Sequence, residues 1–188
     1  AMDLAISDQD RSAYTVIVVG GIDEFRRLLI VDVIRFRGDA NDIINTMLEV
    51  QKLRGIEMWK VEHGQIKQTL EGFLYDKMNE TGTYLTIVPG TPTKDKRSRA
   101  RAIQARMRAG GVYFDTTKSW YPAFEQELLQ FPKGMYKDQV DAIAWLGIAI
   151  NELSSGPTER EVEEDEYEEA VYLYGDSNDM GRNALTGY

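Results

Sequence analysis

Cysteine is absent from the 188 residues. That excludes disulfides and every metal site built on thiolates, and it fits a reducing compartment. No apolar run reaches the ~20 residues that a membrane span needs, so no membrane partner is expected. The opening residues, AMDLAIS, lack the basic and apolar regions of a secretory leader. They read instead as the inside of a strand, as in a domain excised from a longer protein. No internal repeat is visible, and no Walker A pattern (G-x-x-x-x-G-K-S/T) occurs, which excludes a nucleotide-driven motor. An excess of positive charge is missing too: the net charge is -9. Its distribution matters more than its sum. Residues 156–188 hold ten acids and two bases, leaving 21 acids and 20 bases in the rest. The body is nearly neutral and the tail is acidic.

What is present is the mix of a globular protein, 43% hydrophobic and 28% charged. Met2 to Ile6 reads as a short strand, Tyr14 to Gly20 (YTVIVVG) as a second and Leu28 to Phe36 (LLIVDVIRF) as a third. The glycines and charges of GGIDEFRR suit a hairpin between the last two. The apolar period then changes. Ile43, Ile44, Met47, Leu48 and Val50 recur at helical spacing before Gly55. Ile56 to Val61 is a strand, Gln65 to Asn79 a helix, and Tyr84 to Val88 a strand ended by Pro89-Gly90. Lys94 to Arg108 is a basic helix, Val112 to Phe114 a short extended piece, Trp120 to Phe131 a helix, and Asp138 to Leu153 a final apolar helix. Three antiparallel strands followed by β-α units give an α/β domain, a mixed sheet flanked by helices. The composition shifts after Ser155, so residues 1–155 are expected to form the domain. Residues 156–188, with the like-charge block EREVEEDEYEE, form a flexible or docking tail.

Hard divalent cations need carboxylates converging from different elements. The sequence offers Asp3 in the first strand, Glu62 directly after the strand IEMWKV, and Asp138 and Asp141 at the start of the last helix. A spacing of three sets the last two on one helix face. Each also has a plainer reading. Asp3 suits a charge near a frayed end, Glu62 a loop acid or helix N-terminal charge, and Asp138 an N-cap. Asp141 lies in QVDAIAWLGIAI, a run otherwise apolar, where a bare carboxylate is expensive. A bound cation or a partner arginine offsets that cost. His63, the single histidine, suits either an exposed loop or a contact to phosphate or metal. Asp32 reads as an outward or paired strand residue, and Asp8 and Asp10 as turn residues.

Lys94, Lys96, Arg97, Arg99, Arg101, Arg106 and Arg108 set seven cations against one acid within a single helix. This is either a solvated basic face or a contact to the DNA backbone that fixes position without reading bases. Trp59, Trp120 and Trp145 read as core.

These pieces together resemble the nuclease domain of tailed-bacteriophage terminase large subunits. MDLAIS is similar to that family's first motif, a strand carrying an acid before small residues. WKVEHGQ resembles its second carboxylate. FPKGMYKDQVDAIAWL resembles its FP pattern ending in D-x-x-D-A at a helix start, and KDKRSRARAIQARMRAGGVYF the basic helix and short strand before it. The similarity spans roughly Asp3 to Leu153. It implies a ribonuclease-H-like fold and a magnesium- or manganese-dependent endonuclease, with two ions held by Asp3, Glu62, Asp138 and Asp141. It also implies cutting of double-stranded concatemeric DNA during genome packaging. The implied partners are an N-terminal ATPase domain, a portal and a small terminase subunit, in the cytoplasm of an infected bacterial host, with the isolated domain monomeric. Lys137 stands where members carry His or Asp, which leaves open whether Asp138 or Asp141 is the principal ligand. A Holliday-junction resolvase or ribonuclease H on the same fold is the nearest alternative, and a non-catalytic DNA-binding or scaffold module the other.

Overall fold

The computed structural model describes residues 1–5, 14–62, 70–91 and 96–155. The expected acidic tail, Asp8, Asp10, His63 and Lys94 lie outside them. The chain divides into a compact unit of Ala1–Asn151 and a second of Glu152–Tyr188, and all that follows concerns the first.

Six strands form one sheet in the order β5-β4-β1-β2-β3-β6. They are β1 (Met2–Asp3), β2 (Thr15–Ile22), β3 (Leu28–Phe36), β4 (Trp59–Glu62), β5 (Ile87–Gly90) and β6 (Val112–Phe114). β1, β2 and β3 run antiparallel in turn, whereas β4 joins β1, β5 joins β4 and β6 joins β3 in parallel. Three antiparallel strands followed by parallel β-α units are the ribonuclease-H-like mixed sheet expected from the sequence. The register shifts between Val19 and Gly20, a bulge that exchanges which residues of β3 face each side. β5 differs from the expected Tyr84–Val88: it begins at Ile87 and continues through Pro89 and Gly90. An edge strand tolerates this, because the missing proline N–H has no ladder partner to lose.

The helices are α1 (Ala40–Arg54), α2 (Glu71–Thr81), α3 (Lys96–Arg108), α4 (Tyr121–Gln130) and α5 (Asp138–Ser155). Among the described residues no helix is long and apolar enough to cross a membrane. α1 starts where Asp39 and Asp42 exchange side-chain and backbone bonds in a capping box. It stops at Gly55, whose φ of 59° needs a residue without a Cβ. On one sheet face, Met2, Leu4, Ile17, Val19, Trp59 and Val61 pack with α1 and α2. On the other, Val16, Val18, Leu28, Ile30 and Val33 pack with Ile103 of α3, Phe124 of α4, and Ala142, Ile143, Leu146 and Ile150 of α5.

The far side of α5 is covered as well. Val140 and Ala144 pack with Ala100 of α3, and Leu128 and Phe131 close over them. A helix enclosed on both sides has no polar face to display, which explains the all-apolar run AIAWLGIAI. Burying each of Ile143, Leu146 and Ile150 contributes about 1.5–3 kcal/mol. Trp59 and Trp145 are buried, and Trp120 packs edge-on against Phe124 with ring centroids 5.7 Å apart, so all three serve the core.

α3 crosses α5 at Gly147, where an added Cβ would lie 2.9 Å from Ile103 Cβ and 3.2 Å from its backbone nitrogen. Gly147→Val therefore forces two helices apart. We expect it to lower stability by about 1–3 kcal/mol, read as a reduced urea midpoint at unchanged slope.

Candidate active site

The strand register assembles the site. Met2 pairs with Val61 and Asp3 with Val16, so one step further along both strands Asp3 and Glu62 come level. Glu62 in turn pairs with Gly90, and Val16 with Arg35. Gly90, Glu62, Asp3, Val16 and Arg35 thus form one line across five strands, with neighbours about 4.8 Å apart. Val16 belongs to the face covered by α5, and paired residues share a face, so Asp3 and Glu62 are on that face too. Both are half-buried. Gly90 closes the line against α5: a Cβ there would meet the Trp145 ring at 2.4 Å.

Asp138 reaches the same sheet end from above. The first hydrogen bond of α5 runs from Asp141 N to the Lys137 carbonyl, which makes Lys137 the N-cap and Asp138 the first helical residue. The Asp138 carboxylate is therefore not the cap. It accepts instead from Tyr14 N at 3.4 Å, just before β2, where Ala5 N also donates to Thr15 Oγ1 at 3.2 Å. Asp3, Glu62 and Asp138 are accordingly brought to one end and one face of the sheet.

Asp141 has a different environment. Only 2% exposed, it lies 3.6 Å from Arg99 Nη2, itself 8% exposed, and the Arg99 guanidinium also stands 5.1 Å from the Trp145 ring centroid. Of the two ways to offset a buried carboxylate named above, the structure contains the arginine. Arg99, expected among the phosphate contacts, is itself buried against Asp141 and Trp145.

The remaining cations of α3 divide by position. The pairs Arg99–Asp141 and Ile103–Gly147 advance together, so α3 runs alongside α5 in the same direction. Lys96 and Arg97 open α3 nearest the acids. Arg101 is exposed midway and Arg108 at the far end. Arg106 is half-buried and donates from Nη1 to the Arg26 carbonyl at 3.1 Å, beside the β2–β3 turn, at the sheet end opposite the carboxylates. Asp32 is an ion-pair partner, 3.0 Å from Arg54 Nη2.

Two further residues escaped the sequence reading. Lys60, two residues before Glu62 and on the same face, is buried; alternation within WKVE carries that signal. Glu127, 6% exposed, accepts from Gln139 N at 2.7 Å and from Gln139 Nε2 at 2.6 Å. It satisfies an orphan N–H in the first turn of α5 and sets a negative charge at the positive end of the helix. Its position three residues after Phe124 marks it as inward-facing.

Hard cations fit this donor set in one respect. Magnesium takes one or two carboxylates and completes its shell with water and substrate oxygens, and the level pair Asp3 and Glu62 supplies two. A full protein cage is a different matter: among the described residues no group of three His, Asp or Glu side chains is close enough to hold a metal ion.

No protein-family model matches the sequence, and no curated protein matches it. Among solved structures, the yeast mitochondrial Holliday junction resolvase Ydc2 is similar at 13% identity with a TM-score of 0.49, covering 79% of this chain and 74% of that one.

Two substitutions test the supports of the site. Removing Glu127 as Glu127→Ala strands the Gln139 donors and should cost about 2–3 kcal/mol, a fall of roughly 4–12 °C in melting temperature for a domain of this size. Arg99→Met leaves Asp141 as a buried charge and should cost about 3–5 kcal/mol. Arg99→Met with Asp141→Leu should recover most of that loss, and a double-mutant cycle in urea measures the difference.

Proposed function

We propose that the chain is a metal-dependent nuclease acting on DNA. On its sequence resemblance, we propose further that it is the terminase large-subunit domain that cuts concatemeric viral duplexes. The observation that carries the first statement is the line of oxygen donors. Asp3 and Glu62 stand level on adjacent parallel strands, and Asp138 approaches the same face from the start of α5.

In this reading Asp3 and Glu62 would hold Mg²⁺ or Mn²⁺ directly, and Asp138 would add negative charge at the same end of the sheet. When bound, such an ion activates water and stabilises the leaving oxygen of an in-line displacement. The chain's own part is orientation. The β1–β4 register fixes the spacing of Asp3 and Glu62. The Tyr14 amide and the Glu127–Gln139 bonds hold the first turn of α5, and with it Asp138. Arg99 neutralises Asp141, so that Asp141 acts through the position of α5 and not as a ligand. Lys96 and Arg97, at the acid-proximal start of α3, and Arg101 on its exposed side draw the phosphate backbone in. Affinity should accordingly fall as salt rises. On the terminase reading the further partners are an ATPase domain, a portal and a small subunit, inside an infected bacterium.

A Holliday-junction resolvase is the second reading. It needs the same donors on the same fold, and fold does not choose between them. Matched linear duplex, four-way junction and RNA–DNA hybrid do: preferential cutting of the junction favours the resolvase, and equal or better cutting of linear duplex favours the terminase.

Asp3→Asn should abolish cutting in Mn²⁺ or Mg²⁺ while the melting temperature stays within a few degrees of wild type, and EDTA should silence the wild-type protein. Wild-type rates from Asp3→Asn would end the assignment of the metal site to Asp3 and Glu62. A protein that neither cuts nor is stabilised by titrated metal would be a binding module.

A further inference from the structure

Beyond the carboxylates, the same end of the sheet carries a stack of cations and aromatic rings that the catalytic reading does not use. The Arg35 guanidinium carbon stands 3.8 Å from the Tyr14 ring centroid and 4.9 Å from that of Tyr136. The two rings meet edge to face at 5.9 Å. Arg37 stacks on the Tyr14 ring as well, at 4.1 Å. Two guanidiniums therefore share one ring, which gathers positive charge at this end of the sheet.

The surroundings say which group is unsatisfied. Arg35 Nε and Nη2 are buried and find no hydrogen-bond acceptor among the described residues. Buried guanidinium nitrogens without acceptors are costly, and such groups are normally paired. The stack belongs to the site by position. Arg35 ends the line that begins at Gly90 and passes through Glu62 and Asp3. Tyr14 donates its amide to Asp138, and Tyr136 lies two residues before it. Two strand spacings separate Arg35 from Asp3, about 10 Å, which matches the rise of about three nucleotides of a B-form strand.

We propose that Arg35, with Arg37 beside it, binds a backbone phosphate of the DNA strand within about three nucleotides of the bond held at Asp3 and Glu62. This rests on the nuclease reading for its substrate. Tyr14 and Tyr136 hold the guanidiniums in place before the strand arrives, so little side-chain freedom is lost on binding. Arg37 and Tyr136 are exposed, and a strand approaching over them meets the buried Arg35 donors once the Tyr136 ring turns aside. A fork of donors suits phosphate oxygens in pairs and reads no base, so the contact sets position without sequence preference.

The test is binding of a short fluorescein-labelled DNA duplex in EDTA, followed by anisotropy across a salt series. Arg35→Gln should weaken binding about tenfold and reduce the slope of log affinity against log salt by about one, the signature of one lost phosphate contact. Arg35→Lys keeps the charge without the fork, and should retain the wild-type slope at intermediate affinity. A purely structural Arg35 would lower the melting temperature of Arg35→Gln and leave the slope alone. Wild-type affinity and slope in folded Arg35→Gln overturn the inference. If that variant fails to fold, Arg37→Gln takes its place, and an unchanged slope there overturns it equally. The nuclease reading fails separately, if the wild-type protein cuts no DNA in Mg²⁺ or Mn²⁺, an outcome that leaves the salt slope of Arg35 untouched.

Discussion

Enclosure of α5 is the constraint from which the rest of the site follows. Ile143, Leu146 and Ile150 leave water only if the helix lies along the sheet between β2 and the layer of α3 and α4. Once it lies there, its first turn must fall over the end of β1 and β2. Asp138 and Asp141 arrive at that end as passengers of apolar burial. The hydrophobic gain of the helix is large beside the cost of one carboxylate with a partner, so the sequence can keep Asp141 in an apolar run provided that Arg99 accompanies it.

Charge is handled differently in each layer. Under α5, Asp141 and Glu127 are both almost fully covered, and each is answered within the protein, by Arg99 and by the Gln139 donors. At the sheet end, Asp3 and Glu62 are half-exposed and level with one another. Two carboxylates one strand spacing apart repel, and on the proposed reading a small hard cation with its own water would offset that repulsion. On the proposed reading this division separates acids that hold the scaffold from acids that serve chemistry. In the sequence the two kinds are alike, three residues apart in D-x-x-D.

Much of the architecture was legible in the residues. The β-branched runs of β2 and β3, the glycine-rich turn between them, the capped period of α1 and the unbroken apolar stretch of α5 each name their own structure, because each is driven by local pattern. The carboxylate positions were legible for a similar reason, since acids at strand ends and in apolar runs are conspicuous. What stayed hidden depends on direction in space. A period of 3.6 assigns Arg99 to α3 without saying that it points at α5. The same pattern cannot tell that Arg106 ends up by the β2–β3 turn, at the wrong end of the sheet for Asp3. β5 was misplaced because Pro89-Gly90 reads as a stop unless the strand is known to lie at an edge. Arg35, three strands across the finished sheet from Glu62, sits far from it in the chain, and only the register reveals the relation.

The close passage of Ile103 over Gly147 has a mechanical consequence. With no side chain between the two backbones, the arginine-bearing helix and the acid-bearing helix are keyed like gear and shaft at one tooth. Neither can slide along its partner without lifting off. The exposed arginines of the one helix are thereby kept at a constant offset from the acids that open the other.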